Sequence, residues 1–170
     1  MMRAKANSLV KALATGEPNA FGALYDRFGR SMLRVASVML RGSSEAEDAV
    51  QDVFVEIARR SEQLKYVQNL DAYVFAMLRN NVTRRIVDRQ RELKHLCQMP
   101  SPGTSEQPSL LRDDLNRALA SLPDNQREVI ALKIDGDLTF AEIAEMLSVN
   151  PNTAASRYRY AIEKLRAALE

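Results

Sequence analysis

Apolar residues recur at steps of three or four positions through most of this chain, the spacing of residues on one face of an α-helix. The first series lies within residues 17–40 and comprises Phe21, Leu24, Tyr25, Phe28, Met32, Val35 and Met39. The second comprises Ala46, Ala49, Val50, Val53, Phe54 and Ile57. Runs of β-branched residues with the period of two that strands require are missing. The pattern therefore predicts an all-α fold.

Local signals predict where these helices end. Residues 41–43, Arg-Gly-Ser, interrupt the pattern after the first series, and Ser44 with Glu47 matches a capping box that would start the next helix. A polar stretch, residues 61–69, follows that helix. A long helix is then predicted over about residues 70–96. Its inner face comprises Tyr73, Val74, Met77, Leu78 and Val82.

Residues 98–109 contain three prolines and one glycine and have no apolar periodicity. Proline removes a backbone donor and ends helices, so this stretch is predicted to be a flexible linker. It divides the chain into two small helical domains, residues 1–97 and residues 110–170. At about 3.3 Å per residue, the extended linker reaches roughly 40 Å.

The second domain has the signals of a helix-turn-helix. A helix over residues 110–120 and another after residues 122–124 precede a break at residues 135–137. Thr139 and Glu142 then form a capping box ahead of a short helix, which is expected to bury Phe140, Ile143, Ala144 and Leu147. Ser148 and Val149 make a tight turn, and Asn150 caps a final helix that begins at Pro151. Its predicted inner face comprises Ala154, Tyr158, Ile162, Leu165 and Leu169.

The outer face at the start of the final helix carries side chains suited to DNA. Its residues are Asn152, Thr153, Ala155, Ser156, Arg157, Arg159 and Tyr160, and residues 150–161 include no acid. In the major groove arginine pairs with guanine and asparagine with adenine, and a helix N-terminus attracts phosphate. The alternative is a protein-interaction module, because ordinary helical hairpins share this outline. A structure that sealed this face inside one core common to both halves would exclude the DNA hypothesis.

Charge is unevenly distributed, although the net charge of the 170 residues is only +2. Residues 45–56 carry five acids and no base, whereas residues 79–94 carry six bases and two acids. This arrangement is typical of a protein that meets one basic partner and one polyanion. The alternative is that both stretches are solvated helix faces.

Composition argues against several other functions. Cys97 is the only cysteine and His95 the only histidine, so we expect a reducing cytoplasm, no disulfide, no metal site and no cofactor. The sequence has no glycine-rich phosphate loop and no Ser/His/Asp set, so we do not expect an enzyme. It has no run of about 18 apolar residues, so we expect no membrane insertion. Residues 1–11 lack the apolar stretch of a secretory signal.

Three segments resemble extracytoplasmic-function (ECF) sigma factors of the sigma-70 family. Residues 122–129, Leu-Pro-Asp-Asn-Gln-Arg-Glu-Val, and residues 140–147, Phe-Ala-Glu-Ile-Ala-Glu-Met-Leu, are similar to the family's fourth domain, which reads the −35 element with its last helix. Residues 47–54, Glu-Asp-Ala-Val-Gln-Asp-Val-Phe, are similar to the second domain, at the helix that binds the clamp of the polymerase β′ subunit. Domain order and linker also match, over residues 17–96 and 110–169.

The resemblance implies an alternative sigma factor. Its implied partners are core RNA polymerase (β′ clamp and β flap), promoter DNA and an anti-sigma factor. The implied polymerase contacts are Asp48, Gln51, Asp52 and Phe54. Asp48 and Asp52 lie one helical turn apart, which suits Arg or Lys on a partner helix. For Phe54 core packing is the alternative, since it belongs to the apolar series.

The resemblance also implies two sets of DNA contacts. Those to the −10 element are Tyr66, Asn69, Asn80, Arg84, Arg85 and Arg89, and those to the −35 element are Asn152, Thr153, Ser156, Arg157, Arg159 and Tyr160. Residues 61–69 occupy the place of the family's loop that captures a flipped base, with an ordinary connection as the alternative. The chain departs from the family's usual residues at Tyr73, Val74, Arg84, Ser148 and Ala155, so its promoter sequence stays open.

Two functions of other kinds remain as alternatives. The first is a two-domain regulator that binds DNA through the helix-turn-helix but never docks on polymerase, its N-terminal half serving for dimerisation or effector binding. The second is a helical adaptor that acts only on proteins, for which no salt-dependent DNA binding is expected.

Overall fold

The computed structural model describes residues 2–41, 44–95 and 110–170, and within them the side chains of residues 8–41, 44–94 and 114–170. These parts of the chain form eight α-helices and one 3₁₀ helix, which confirms the all-α fold. The α-helices are α1 (Met2–Ala14), α2 (Ala20–Leu40), α3 (Ser44–Arg59), α4 (Leu70–His95), α5 (Leu110–Ser121), α6 (Asp124–Ile134), α7 (Phe140–Leu147) and α8 (Pro151–Leu169). The 3₁₀ helix spans Ser61–Tyr66. The predicted linker lies outside the described residues.

The N-terminal half is built around α2, which packs against α3 and α4. Its buried side chains follow the predicted series, with Phe28 meeting the ring of Phe75 edge-on at 6.3 Å between centroids. The Arg27 guanidinium donates to both carboxylate oxygens of Asp71 at 2.9 Å and so joins α2 to α4. Arg41 ends α2 in the left-handed conformation, with φ of 60°.

Three details of this half differ from the prediction. Helix α1 has no counterpart among the predicted helices, and it packs on the 3₁₀ helix, which occupies part of the stretch expected to be a polar loop. Ser44 lies inside α3 rather than capping it, and residue 43 is outside the described part of the chain. Tyr25, expected to face inward, is 61% exposed.

The C-terminal half confirms the helix-turn-helix. The Thr139 hydroxyl accepts from the Glu142 N–H while the Glu142 carboxylate accepts from the Thr139 N–H, which is the predicted capping box. Asn150 caps α8, its side-chain oxygen accepting from the Asn152 N–H at 2.8 Å. Between α7 and α8 the chain turns at Ser148, which adopts a left-handed φ of 53°.

The two halves touch through what we call the interdomain interface. Helix α6 packs on α2, α7 contacts α4, and buried apolar residues of α6, α7 and α8 join the apolar cluster of the N-terminal half. The polar members of the interface are Arg34, Arg41, Asn69 and Arg79 on one side and Asp124, Glu128, Asp135 and Glu142 on the other. A second small cluster, around Leu122 and Ile130, stays within the C-terminal half. The leading face of α8 is not sealed inside the shared core, because Asn152 and Thr153 are exposed.

Candidate functional site

The outer face of α3 presents the acids and the aromatic residue expected to meet polymerase. Asp48 and Gln51 are exposed, and Phe54 is half-buried, with part of its ring packed against the core. Its ring lies 5.3 Å from the ring of Tyr25, at an interplanar angle of 45°. Tyr25 extends this surface onto α2, although its position in the apolar series predicted burial.

Asp52 is already engaged within the chain. The Arg85 Nη2 donates to its carboxylate at 2.6 Å, and the amide of Asn81 donates to the same oxygen at 3.3 Å. Asn81 in turn accepts from the Arg85 Nε at 2.8 Å. The hydrogen bond from Arg85 holds the pKa of Asp52 below its usual value, against the opposing effect of burial. Asn81 was not predicted, and the only signal was its place one turn before Arg85.

Two of the expected −10 contacts, Asn80 and Arg84, line a polar cleft of about 380 Å³ between α3 and α4. Glu56, Arg60 and Asn81 line it as well. Amide, guanidinium and carboxylate groups together offer hydrogen-bond donors and acceptors of the kinds that bind nucleobase edges and phosphates.

The remaining −10 residues lie in different surroundings. Tyr66 is 77% exposed at the end of the 3₁₀ helix, with the Lys65 ammonium 5.0 Å from its ring centroid. An exposed aromatic ring beside a cation suits stacking with an unpaired base. Asn69 accepts from the Ala72 N–H at the start of α4. Arg89 forms an ion pair with Glu45 of α3.

The start of α8 presents the predicted −35 set to solvent. Asn152, Thr153, Arg159 and Tyr160 are exposed, and Ser156 and Arg157 are half-buried. The Arg159 guanidinium lies 5.3 Å from the centroid of the Tyr160 ring. With no acid in its first turn, the N-terminus of α8 keeps a positive potential that suits phosphate.

The described residues lack two kinds of feature, a metal-binding cluster and a membrane-spanning helix. Residues 8–41, 44–94 and 114–170 contain no group of three or more His, Cys, Asp or Glu side chains that could hold a metal ion. Of the helices that the structure describes, none is both long and apolar enough to cross a bilayer.

Comparison with known proteins identifies the class. Residues 24–92 match the model for sigma-70 region 2, and residues 112–165 match that for sigma-70 region 4. The chain is 29% identical over 177 residues to the ECF RNA polymerase sigma factor SigK of Mycobacterium ulcerans, covering 96% of this chain and 93% of the relative. It is 29% identical over 182 residues to SigK of Mycolicibacterium vanbaalenii, covering 99% and 91%.

Two solved structures have a similar fold. The sigma factor RpoE, in complex with the anti-sigma factor NepR from Bartonella quintana, matches with a TM-score of 0.77 and 22% identity over 89% of this chain and 97% of that one. CnrH, in complex with the cytosolic domain of CnrY, matches with a TM-score of 0.68 and 24% identity over 96% of each chain.

The chain belongs to the sigma-70 family of RNA polymerase sigma factors. Within that family it is an ECF sigma factor, a non-enzymatic protein that directs transcription initiation. Membership implies binding to RNA polymerase and decides against the two alternatives, the regulator that never docks and the adaptor that binds only proteins.

Proposed function

We propose that this sigma factor docks on core RNA polymerase through the outer face of α3 and reads promoter DNA at two places. Residues 1–97 form the unit that binds polymerase and the −10 element, residues 110–170 form the unit that reads the −35 element, and residues 98–109 join them. The single observation that supports this most is the exposed, acid-free start of α8 in a chain whose acidic α3 face is also exposed.

Docking on polymerase uses the β′ clamp. Asp48 and Gln51 offer a carboxylate and an amide to basic or polar side chains of a partner helix. The neighbouring rings of Tyr25 and Phe54 add aromatic surface that is partly shielded from water. Tyrosine is among the residues that dominate the binding energy at protein interfaces. The C-terminal unit contacts the β flap.

DNA binding divides between the two units. Asn152, Thr153, Ser156, Arg157, Arg159 and Tyr160 enter the −35 major groove, where Arg and Asn side chains read base edges. The −10 element meets Tyr66, Asn69, Asn80, Arg84, Arg85 and Arg89. There Tyr66 stacks on an unpaired base, and the cleft beside Asn80 takes a polar group of the separated strand.

The chain is held inactive by an anti-sigma factor, and it acts in the cytoplasm. RpoE was solved in complex with the anti-sigma factor NepR, and CnrH in complex with the cytosolic domain of CnrY, which supports the first part.

Abortive transcription from a promoter library, with core polymerase and this chain, tests the DNA-reading proposal. Selected promoters should share both a −35 and a −10 motif.

Co-purification with core polymerase tests docking. Asp48→Lys is a clearer test than a substitution of Asp52, because Asp52 has an internal partner. Glu17→Lys, an exposed acid in the turn before α2, is the matched control. Equal retention of polymerase by both variants would contradict the proposed docking face.

A further inference from the structure

Asn81 is a polar residue on the buried face of α4. Its side chain is only 9% exposed, and it lies between Leu78 and Val82, which are fully buried. A buried amide costs stability unless its hydrogen bonds are made within the protein, whereas an apolar side chain would pack here without that cost. The proposed function gives Asn81 no role, so its polar side chain needs another explanation.

The hydrogen bonds of Asn81 join two residues that are assigned to different partners. Its carboxamide oxygen accepts from Arg85 Nε at 2.8 Å, and its nitrogen donates to Asp52 Oδ2 at 3.3 Å. Arg85 Nη2 donates to the same oxygen of Asp52 at 2.6 Å. The three side chains therefore form a closed triangle of hydrogen bonds between α3 and α4.

This triangle holds the Arg85 guanidinium by one edge. A guanidinium has five N–H donors in a fixed plane. Among the described residues Asn81 and Asp52 are its hydrogen-bond partners, and they use one donor on Nε and one on Nη2, so the Nη1 edge is left for a ligand. The side chain is 26% exposed, which allows a ligand to reach it. Binding of a phosphate then orders this side chain less than it would order a free arginine.

Of the two partners, Asn81 is better placed to hold Arg85 while polymerase is bound. Asp52 is 51% exposed and belongs to the proposed polymerase contacts, so a basic side chain of polymerase competes for its carboxylate. Asn81 is buried and belongs to none of the proposed contacts. Its hydrogen bond to Arg85 Nε does not depend on the Asp52 carboxylate.

The other arginines proposed to meet the −10 element are held differently. Arg84 lines the cleft between α3 and α4, and Arg89 pairs with the carboxylate of Glu45. A carboxylate partner neutralises part of the charge that attracts DNA, whereas an amide fixes the guanidinium and leaves its charge intact. Asn81 therefore gives Arg85 an orientation without loss of charge.

We propose that Asn81 is a positioning residue for promoter binding, which orients Arg85 so that its Nη1 edge meets one phosphate of the −10 strand. The inference rests on the proposed function, because it takes Arg85 as a −10 contact. Asn81 itself touches no DNA. Its loss should remove the contribution of one particular phosphate and leave the other contacts of the strand in place.

Replacement of single phosphates tests this in the purified complex of core polymerase with the full-length chain. The probe is a single-stranded −10 oligonucleotide, taken from the promoters selected by abortive transcription, in which each phosphate in turn becomes an uncharged methylphosphonate. In the parent complex one replacement should weaken binding about tenfold, because it removes a charge-assisted hydrogen bond to Arg85. In Asn81→Leu and in Arg85→Met the same replacement should change the affinity less than about twofold.

Two further variants separate positioning from packing. The exchange Asn81→Asp with Asp52→Asn keeps an acceptor for Arg85 Nε and an amide between the helices, so it should restore the effect of that phosphate. Asn116→Leu makes the same apolar change at an exposed position of α5 and should bind the whole series of oligonucleotides as the parent does.

Two outcomes would overturn the proposal: an Asn81→Leu complex that keeps the phosphate effect of the parent, or a lost effect that the exchange does not restore. If Asn81→Leu fails to fold by circular dichroism, Asn81→Ser gives the answer, because its shorter side chain cannot bond Arg85 and Asp52 together. A parent-like series in Arg85→Met would instead contradict the −10 contact at Arg85. Failure of the proposed function is therefore distinguishable from failure of the positioning role.

Discussion

Asp52 of α3 and Arg85 of α4 form an ion pair, with 2.6 Å between the carboxylate oxygen and the guanidinium nitrogen. The resemblance to ECF sigma factors implies that Asp52 contacts polymerase and that Arg85 contacts DNA. Their contact places the two proposed binding surfaces side by side, with the buried amide of Asn81 bonded to both side chains. A polymerase residue that approaches Asp52 therefore competes with Arg85 for the carboxylate.

Loss of Arg85 should raise the pKa of Asp52. In the folded protein the hydrogen bond from Arg85 holds this pKa below the usual 3.8, so the pair stabilises the fold above about pH 4 and this contribution is lost as pH falls through the lowered pKa. We expect Arg85→Met to move the Asp52 pKa upward in a carboxyl NMR titration. Because the pair is partly solvated, the unfolding free energy at pH 7 should fall by only about 0.5 kcal/mol.

Arg91→Met is the control for that titration. Arg91 contacts Asp88 at 3.7 Å on the exposed end of α4, away from Asp52. An Asp52 pKa that is the same in Arg85→Met and in the parent would show that the ion pair with Arg85 does not lower this pKa.

Removal of the Tyr25 ring should weaken polymerase binding more than folding. Tyr25 is 61% exposed, so Tyr25→Ala should cost no more than about 1 kcal/mol of unfolding free energy. If the ring meets the β′ clamp beside Phe54, the affinity for core polymerase should drop by about 1–2 kcal/mol, measured by fluorescence anisotropy without DNA. Tyr66→Ala, another exposed tyrosine, should leave that affinity unchanged. Equal affinities in all three proteins would place Tyr25 outside the interface.

The sequence predicted the structure best where the contacts that determine it join residues close together in the chain. The capping box of Thr139 and Glu142 joins residues three positions apart, and the cap at Asn150 acts within two, so each was visible in the sequence. The prediction that Tyr25 faces inward was wrong, because the three- and four-residue spacing of an apolar series does not show which of its residues a neighbouring helix covers.

Contacts between distant residues could not be predicted in the same way. Arg79 and Glu128 are 49 positions apart and Asn81 and Asp52 are 29 apart, and helical periodicity carries no information on which charged faces meet. The linker composition predicted two units but was silent on whether they associate. The sequence shows the runs of acidic and basic residues, but which residues pair within the chain depends on how the helices pack.

The turn between α7 and α8 should become more stable when Ser148 is replaced by glycine. Ser148 has a φ of 53°, a conformation that costs a residue with a Cβ about 1–2 kcal/mol. Glycine avoids this cost, but its larger unfolded-state entropy offsets part of the gain in stability. We expect Ser148→Gly to raise the unfolding free energy by about 0.5–1 kcal/mol in a urea titration.

Gly136→Ala is the opposite case. A Cβ at this position would lie 2.6 Å from the Leu132 carbonyl oxygen, so this variant should be destabilised. A destabilised Ser148→Gly would show that the larger unfolded-state entropy of glycine outweighs the backbone strain at Ser148.

Arg157 is the side chain of α8 whose loss should most reduce −35 binding. It is half-buried at the leading face, so its guanidinium has less freedom to lose on binding than an exposed arginine. If it reads a base edge, Arg157→Ala should cost about 1–3 kcal/mol of promoter affinity in the polymerase complex and relax preference at one base pair. Arg166→Ala, an exposed arginine in the last turn of α8, is the control and should cost little. Binding is measured over a salt series on promoters mutated one −35 base pair at a time. A uniform loss on every sequence with a shallower salt slope would assign Arg157 to a phosphate, and a loss of under about 0.3 kcal/mol would exclude it from the interface.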